Sequence, residues 1–235
     1  MNPLLRLLAV GTLLLTAVSS FAAGSFQGKV TLSISDKKGR AHDLNYSIKG
    51  QKLRMDMDAE GHSVATIMDM EKLEMLMLMS EQKMYMVMPI KKPVEQAVAK
   101  ASAESTAEIE VTGKTETILG YKCNQILVKD KGTVTEVWAA EGLGTFMGLG
   151  NNGGGGGMGG MFGGKKSANA AKWEEALKGK GGFPLRVVTR DGKGKDSFKM
   201  EATKIEPGSL PDSLFVPPPG YSKFQMPSFG DMLKG

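Results

Sequence analysis

The chain has 235 residues and a formal net charge of +5, and 41% of its residues are hydrophobic, which is enough for one domain with a substantial core. The positive charge is spread along the chain and only 6% of the residues are aromatic, so the sequence lacks the basic, stacking surface of a nucleic-acid-binding protein. Cys123 is the only cysteine, which excludes a disulfide within the chain, and no histidine or basic cluster flanks it to make the thiol reactive.

Residues 1–22 have the pattern of a secretory signal peptide. One cation, Arg6, precedes the apolar run LLAVGTLLLTAV, and small residues follow up to Ala22. The run is shorter than the about 20 apolar residues of a membrane-spanning helix, and no later segment approaches that length. We therefore expect a periplasmic or secreted protein that is soluble after cleavage and does not span the membrane.

Residues 25–89 are expected to form six antiparallel strands. Short stretches with apolar residues at every second position alternate with turns rich in glycine, aspartate and lysine, which is typical of consecutive β-hairpins. The fifth and sixth stretches, EMLMLM and KMYMVM, are separated only by SEQ. These two strands should therefore be neighbours in the sheet.

The apolar period then changes from that of a strand to that of a helix. Apolar residues from Val94 to Ala101 recur at helical spacing, and Pro93 suits a first helical position, which predicts a helix over residues 93–105. Three further strands should follow it, in the stretches AEIEVTGKTETI, GYKCNQILVKD and TVTEVWAAE.

Residues 148–164 interrupt this pattern, because 11 of these 17 positions are glycine and cannot form a regular element. A short helix over residues 168–178 and a last β-hairpin are expected to follow, and a proline-rich segment closes the chain. The predicted organisation is a signal peptide over residues 1–22, one domain over 23–216 with a glycine-rich insertion at 144–182, and an extended tail over 217–235.

Sequences that imitate cofactor motifs do not meet the requirements of those motifs. GLGNNG lies in polyglycine without a βαβ unit around it, and the calcium-like stretch DMDAEGH is followed by Ile67 where the twelfth position needs a glutamate. The two histidines, His42 and His62, lie beside turns, and no serine or cysteine has a nucleophile-elbow context. We therefore predict no cofactor, no metal site and no enzymatic activity.

Methionine is the most unusual component, since 10 of the 17 methionines lie between Met55 and Met88. Each Met-x-Met repeat puts two sulfurs on one face of a strand, about 7 Å apart along it. Leucine, tyrosine and valine fill the opposite face, so both faces of these strands are apolar. One face could line a core or cavity, and the other must be covered by a helix, the tail or a partner.

Three hypotheses account for this surface. Methionine fills irregular gaps, so the residues could be plain core packing. Their unbranched side chains could instead form a deformable apolar pocket for a lipid or acyl chain. Thioethers are also soft ligands that suit Cu(I). We favour the apolar groove, lined by Met75, Met77, Met79, Met84, Met86, Met88, Trp138, Met158 and Met161.

Several stretches resemble the bacterial exported proteins grouped as domain-of-unknown-function family 4412. They are ATIMDMEKLEMLMLMSEQKMYMVMPI, ETILGYKCNQILVKD, TEVWAAEGLG and FPLRVVTRDGKGKDSFKMEATKIEPGSLPDSLFVPPPGY, and the likeness covers nearly all of the chain after the signal peptide. The layout is more distantly similar to the periplasmic lipoprotein-carrier superfamily, with the glycine-rich tract as a departure. That resemblance implies a curved, half-open antiparallel sheet, capped by helices, with acyl chains in its concavity.

The predicted fold is therefore α+β: a curved, incomplete antiparallel β-barrel of about ten or eleven strands, capped by two short helices and similar to lipoprotein carriers. The predicted function is non-catalytic binding of a lipid, an acyl chain or another apolar ligand in the methionine-lined groove. The expected partner is a lipid or a lipidated protein. A Cu(I)-binding envelope protein and a structural or interaction protein with a fully packed core are the alternatives.

Overall fold

The computed structural model describes residues 26–35, 39–59, 62–90, 107–144, 146, 173–174, 177 and 182–224. Twelve strands lie in these ranges: β1 Gln27–Ser35, β2 Ala41–Lys49, β3 Lys52–Ala59, β4 His62–Asp69, β5 Glu74–Met79, β6 Met84–Pro89, β7 Glu108–Ile118, β8 Tyr121–Asp130, β9 Thr133–Glu141, β10 Gly182–Arg190, β11 Asp196–Pro207 and β12 Ser222–Lys223. A 3-10 helix spans Asp212–Phe215.

All twelve strands belong to one open sheet. Their spatial order is β12-β6-β5-β4-β3-β2-β1-β11-β10-β9-β8-β7. The sheet therefore consists of two antiparallel meanders, β1 to β6 and β7 to β11, which are joined where β1 pairs with β11. Only β12 runs parallel to its neighbour, β6. The prediction of an open, mainly antiparallel sheet is confirmed.

Two details of the predicted fold need correction. The sheet has twelve strands, and the unexpected one, β12, has only two residues and so no periodicity that a pattern could reveal. Two capping helices are not supported. The helix expected at residues 93–105 lies outside the described residues, and of the one expected at 168–178 only Trp173, Glu174 and Leu177 are described, in helical conformation.

The sheet is strongly curved between β2 and β10. Tyr46 of β2 and Phe183 of β10 contact each other edge to face, with ring centroids 5.7 Å apart. Two strands lie between them, so their backbones would be about 14 Å apart in a flat sheet. Because side chains stand roughly perpendicular to a sheet, this contact requires the two strands to curve toward each other.

Four aromatic rings fill this concave region. Phe146 stacks on Tyr46 with ring centroids 5.3 Å apart, and it also contacts Phe183 and Trp173, both at 5.4 Å. Trp173 is 1% exposed and Phe183 is fully buried. They belong to the main core, which takes residues from β1 to β4 and from β7 to β11. The concavity between β2 and β10 is therefore packed with side chains of the protein itself.

A second core lies against β4, β5 and β6. The chain after β11, residues 208–224, passes over these strands, and we call it the C-terminal strap. Its apolar side chains pack against apolar side chains of the sheet. The buried members of this second core are Ala65, Ile67, Leu78, Leu210 and Phe215.

Polar side chains of the sheet fasten the strap. The Lys49 Nζ donates a hydrogen bond to the Leu210 carbonyl and forms an ion pair with Asp212, both at 2.9 Å. The Arg54 Nη1 donates to the Leu214 carbonyl at 3.0 Å. The Lys49 and Arg54 side chains thus donate to backbone carbonyls of the strap that have no partner in a neighbouring strand. These hydrogen bonds fix the position of the strap on the sheet, in addition to stabilising its contact with the sheet.

The pairing of β1 with β11, which we call the seam between the two meanders, requires a glycine at residue 28. Gly28 of β1 has a φ of +155°, and a Cβ there would collide with the Glu206 carbonyl and lie 2.9 Å from the Cα of Pro207. A side chain at this position would push β1 away from β11. Residue 28 therefore allows the close pairing that holds the two meanders together.

Candidate functional site

Six methionines of β5 and β6 lie side by side on one surface of the sheet, which we call the methionine face. The register sets them directly opposite one another in three pairs: Met75 with Met88, Met77 with Met86, and Met79 with Met84. Directly opposed side chains of antiparallel strands have Cβ atoms about 4.5–5.5 Å apart, so long side chains in each pair are within contact range.

Two similar turns produce this register. Residues 70–73 join β4 to β5 and residues 80–83 join β5 to β6, and each turn ends on a residue with positive φ, Leu73 at 54° and Lys83 at 48°. In the first turn, the Asp69 carboxylate accepts backbone hydrogen bonds from residues 71 and 72 at 3.1 and 3.0 Å. Turns of equal length keep the alternation of the two strands in phase, so the methionines meet.

The methionine face continues the core side of the sheet to its end. Met77 is opposite Thr66, Thr66 is opposite Met55, and Met55 is opposite the core residue Tyr46. Burial decreases along this row: Met55 is 2% exposed, whereas all six methionines of β5 and β6 are only half-buried. The same side of the sheet is therefore core at β3 and partly open surface at β5 and β6.

A small cavity of about 200 Å³ lies at one end of β5. It is lined by Val64, Met77, Met79 and the turn at residues 80–82, together with neighbouring residues of β4 and β5. Pockets that enclose a small ligand measure about 300–1,000 Å³, so this cavity is too small to enclose one. A ligand at this site would lie along the methionine face and occupy the cavity with only part of its length.

Of the other predicted groove residues, Trp138 is not brought to this face. Trp138 lies on β9, with six strands between β5 and β9, and its indole N–H donates a hydrogen bond to the Glu136 carboxylate at 2.7 Å. Met158 and Met161 lie outside the described residues. Of the nine predicted residues, the structure thus places the six of β5 and β6 together.

Glu136 is the centre of a polar network on β9. Its carboxylate accepts hydrogen bonds from Trp138, from Gln125 at 3.0 Å and from Arg190 at 3.2 Å. Burial acts to raise the pKa of Glu136, but these hydrogen bonds outweigh it, and the pKa lies below its ordinary value. The network fixes the Trp138 ring, which gives this tryptophan a structural role.

The described residues show few groups suited to catalysis. Cys123 is fully buried, and burial raises the pKa of its thiol, so it is a poor nucleophile. Within the described ranges, no three His, Cys, Asp or Glu side chains are grouped so that they could hold a metal ion. The same ranges contain no helix that is both long and apolar enough to cross a membrane.

Sequence analysis missed the residues that fasten the strap. Lys49 and Arg54 have the pattern of ordinary polar positions on exposed strand faces, and their partners are about 160 residues further along the chain. Arg54 had one local signal, because Asp56 is two residues away on the same face of β3 and binds the guanidinium at 2.8 Å. That hydrogen bond raises the pKa of Arg54 and orients it.

These features define a class of protein: an open, curved β-sheet with its concavity packed and an apolar face left half-covered at one end. The chain belongs to the family described as Domain of unknown function (DUF4412), whose model matches residues 26–221. The family membership expected from the sequence is thereby confirmed. Among curated proteins, none matches the chain in sequence.

Many solved structures are similar to this chain, and three of them show the range of likeness. An uncharacterized conserved protein from Thermus thermophilus has a TM-score of 0.49 and 10% identity, covering 86% of this chain and 91% of that one. The MucA/MucB complex of Pseudomonas aeruginosa contains a chain with a TM-score of 0.42 and 13% identity, covering 81% of this chain and 54% of that one. An outer membrane lipoprotein-sorting protein domain from Vibrio parahaemolyticus has a TM-score of 0.29 and 9% identity, covering 83% and 90%.

The distant similarity to lipoprotein-sorting proteins expected from the sequence is therefore found among solved structures. The chain spans about half the length of the MucA/MucB chain that it matches. Fold likeness at these identities does not carry an activity with it, so function has to be argued from the site.

Proposed function

We propose that this chain is an exported, non-catalytic binding protein that holds an acyl chain or another apolar ligand on its methionine face. One observation carries the proposal: β5 and β6 are apolar on both sides, and the strap packs on one side, where Leu78 is buried, whereas all six methionines of the other side are half-buried. The signal-peptide pattern of residues 1–22 supports a place of action in the bacterial envelope or outside the cell.

Covering the half-buried methionine face with an apolar ligand would be favourable, because it would remove apolar surface from water. Each 100 Å² of apolar surface removed from water contributes about 2.5 kcal/mol before the costs of association are subtracted. A ligand lying across the three methionine pairs would cover side chains from two strands at once. It would also extend the core side of the sheet, which is already apolar at β3.

Methionine suits such a site because its unbranched side chain repacks at low cost. Flexible, methionine-rich surfaces accept ligands of different length and shape, whereas a surface of branched side chains would select one shape. The proposal therefore predicts broad tolerance of acyl-chain length, since the small cavity beside Met77 and Met79 receives only part of the ligand.

The direct test is native mass spectrometry of the full chain purified from a bacterial envelope, followed by extraction of bound lipids. A co-purifying acyl compound supports the proposal. A mass gain of one or two copper ions would instead favour the thioether–Cu(I) alternative, and an apo mass that takes up no added fatty acid would favour plain packing. Either result would overturn lipid binding.

A matched pair of variants locates the site. We expect Met77→Ser with Met86→Ser to weaken binding of a fluorescent fatty acid by at least about tenfold, because both polar residues interrupt the centre of the face. The control is Ile109→Ser with Val111→Ser on β7, where the two side chains are 48% and 51% exposed. Equal losses in both variants, or no loss in the first, would contradict binding at the methionine face.

A further inference from the structure

The described methionines of the strands fall into two groups by exposure, and Met70, in the turn after β4, is half-buried. Met55 and Met57 of β3 are each 2% exposed, Met68 of β4 is 4% exposed, and Met200 of β11 is fully buried. The six methionines of the methionine face are half-buried. Oxidants dissolved in water therefore reach one cluster of thioethers and not the other, although both lie on the same side of one sheet.

We propose that the methionine face is a site of oxidation by hydroperoxides, and that sulfoxides formed there release the apolar ligand. The sulfur lone pair attacks the outer oxygen of the peroxide, so that an S–O bond forms and the O–O bond breaks. The thioether loses two electrons and becomes a sulfoxide, and hydrogen peroxide is reduced to water. The second half of the proposal rests on the proposed function.

Oxidation makes the centre of the methionine face polar, because the methionines of β5 and β6 lie directly opposite one another in pairs. A sulfoxide converts a flexible apolar side chain into a polar one. Since Met77 is directly opposite Met86, oxidation of both places two strong dipoles next to each other in the middle of the face. An acyl chain lying there would cover polar groups without giving them a hydrogen bond.

The fold is arranged to survive this modification. The opposite side of β5 is held by the second core, in which Leu78 is 1% exposed and packs in a cluster with Leu210 and Phe215 of the strap. The main core uses Met55 and Met57, which are shielded. Met75 also packs against the main core, but the other five face methionines do not belong to either core, so their oxidation changes one surface of the sheet and leaves the buried residues of both cores in place.

The first measurement is independent of any ligand. The folded chain is treated with hydrogen peroxide, and oxygen addition is followed at each methionine by peptide mass mapping, with circular dichroism as the check on folding. We expect the six methionines of the face to oxidise at least about tenfold faster than Met55, Met57 and Met200. Similar rates in the two groups, with the fold intact, would overturn the proposal.

The second measurement uses a fluorescent fatty acid as the probe. A variant with all six methionines of the face changed to leucine has no thioether there to oxidise, so whatever affinity it has for the probe should be the same before and after peroxide. The wild type and the control Met55→Leu with Met57→Leu should bind before treatment and lose at least about tenfold in affinity after it. A methionine sulfoxide reductase should restore their binding.

The outcomes separate this inference from the proposed function. If untreated wild type binds no probe, the proposed function fails, and only the oxidation map is left to support the modification site. If wild type binds the probe equally well before and after oxidation, ligand release is overturned while the proposed function stands. Loss of binding in the six-leucine variant after peroxide would also overturn the inference, because no thioether is left on the face.

Discussion

The two apolar faces of β4 to β6 differ in what covers them. On one face, the strap brings Leu210 and Phe215 down onto the sheet, and Lys49 and Arg54 fasten its carbonyls. On the other, three pairs of methionines are half-buried beside a small cavity. The same strands thus pack against the strap on one side, where Leu78 is buried, and carry half-buried methionines on the other, and the difference lies in the covering segment rather than in hydrophobicity.

Removing the largest buried side chain of the strap is the strongest way to break this comparison. Phe215 is 5% exposed, so Phe215→Ala should leave a cavity in the second core and lower the free energy of unfolding by about 3–4 kcal/mol. Urea denaturation measures the change. The control is Phe224→Ala, also in the strap but 40% exposed, which should cost less than about 1 kcal/mol. Equal costs would show that the strap does not seal this face.

Adjacent residues of β5 sharpen the comparison, because they point to opposite faces. Leu78→Ala should lower the free energy of unfolding by about 3 kcal/mol, since Leu78 is 1% exposed in the second core. Met77→Ala should cost less, about 1–2 kcal/mol, because its side chain is only partly buried. Thermal or urea unfolding of both variants gives the ratio. A cost for Met77 that matches that for Leu78 would indicate that the methionine face is ordinary core.

Glu136 on β9 is a reference point away from both faces. Its folded-state pKa is lowered, so the stability it contributes is present above its unfolded-state pKa and is lost as the pH falls through the folded value. Glu136→Gln should therefore cost about 0.5–1 kcal/mol near pH 7, and this difference should vanish in acid, below the ordinary pKa of 4.5. Unfolding curves measured across this pH range provide the test, and a cost that does not change with pH would contradict it.

The alternation of apolar residues was enough to predict about ten or eleven strands and their antiparallel sense, because period-two patterns persist wherever one face is buried. It could not orient β5 and β6. Met77 and Leu78 are both apolar, so neither phase of the pattern marks the core side. The strap alone determines which side of β5 and β6 is covered. Its buried residues Leu210 and Phe215 lie in a segment without a periodic pattern, so the sequence could not predict this contact.

The candidate site was predictable in part for the same reason. Six of the nine proposed residues share two adjacent strands, and a four-residue turn is enough to bring them together. Trp138 was included on hydrophobicity alone. Its place was decided instead by Glu136, two residues earlier on the same strand, which takes its indole hydrogen bond. The packed aromatic cluster of Tyr46, Phe146 and Phe183 depends on curvature, which a sequence pattern does not report.

The seam between β1 and β11 has a consequence for how this protein reaches its folded state. It pairs Val30 with Ile205, so β1, the first described strand to be synthesised, cannot complete its pairing until β11 has been made. Except for the 40 residues between β9 and β10, each meander is made of short-range hairpins that close quickly, whereas the seam pairs residues that are 175 positions apart. We expect the two meanders to form as separate half-sheets, each with an unpaired edge strand, before β1 pairs with β11. A chaperone would be needed while these edges are exposed.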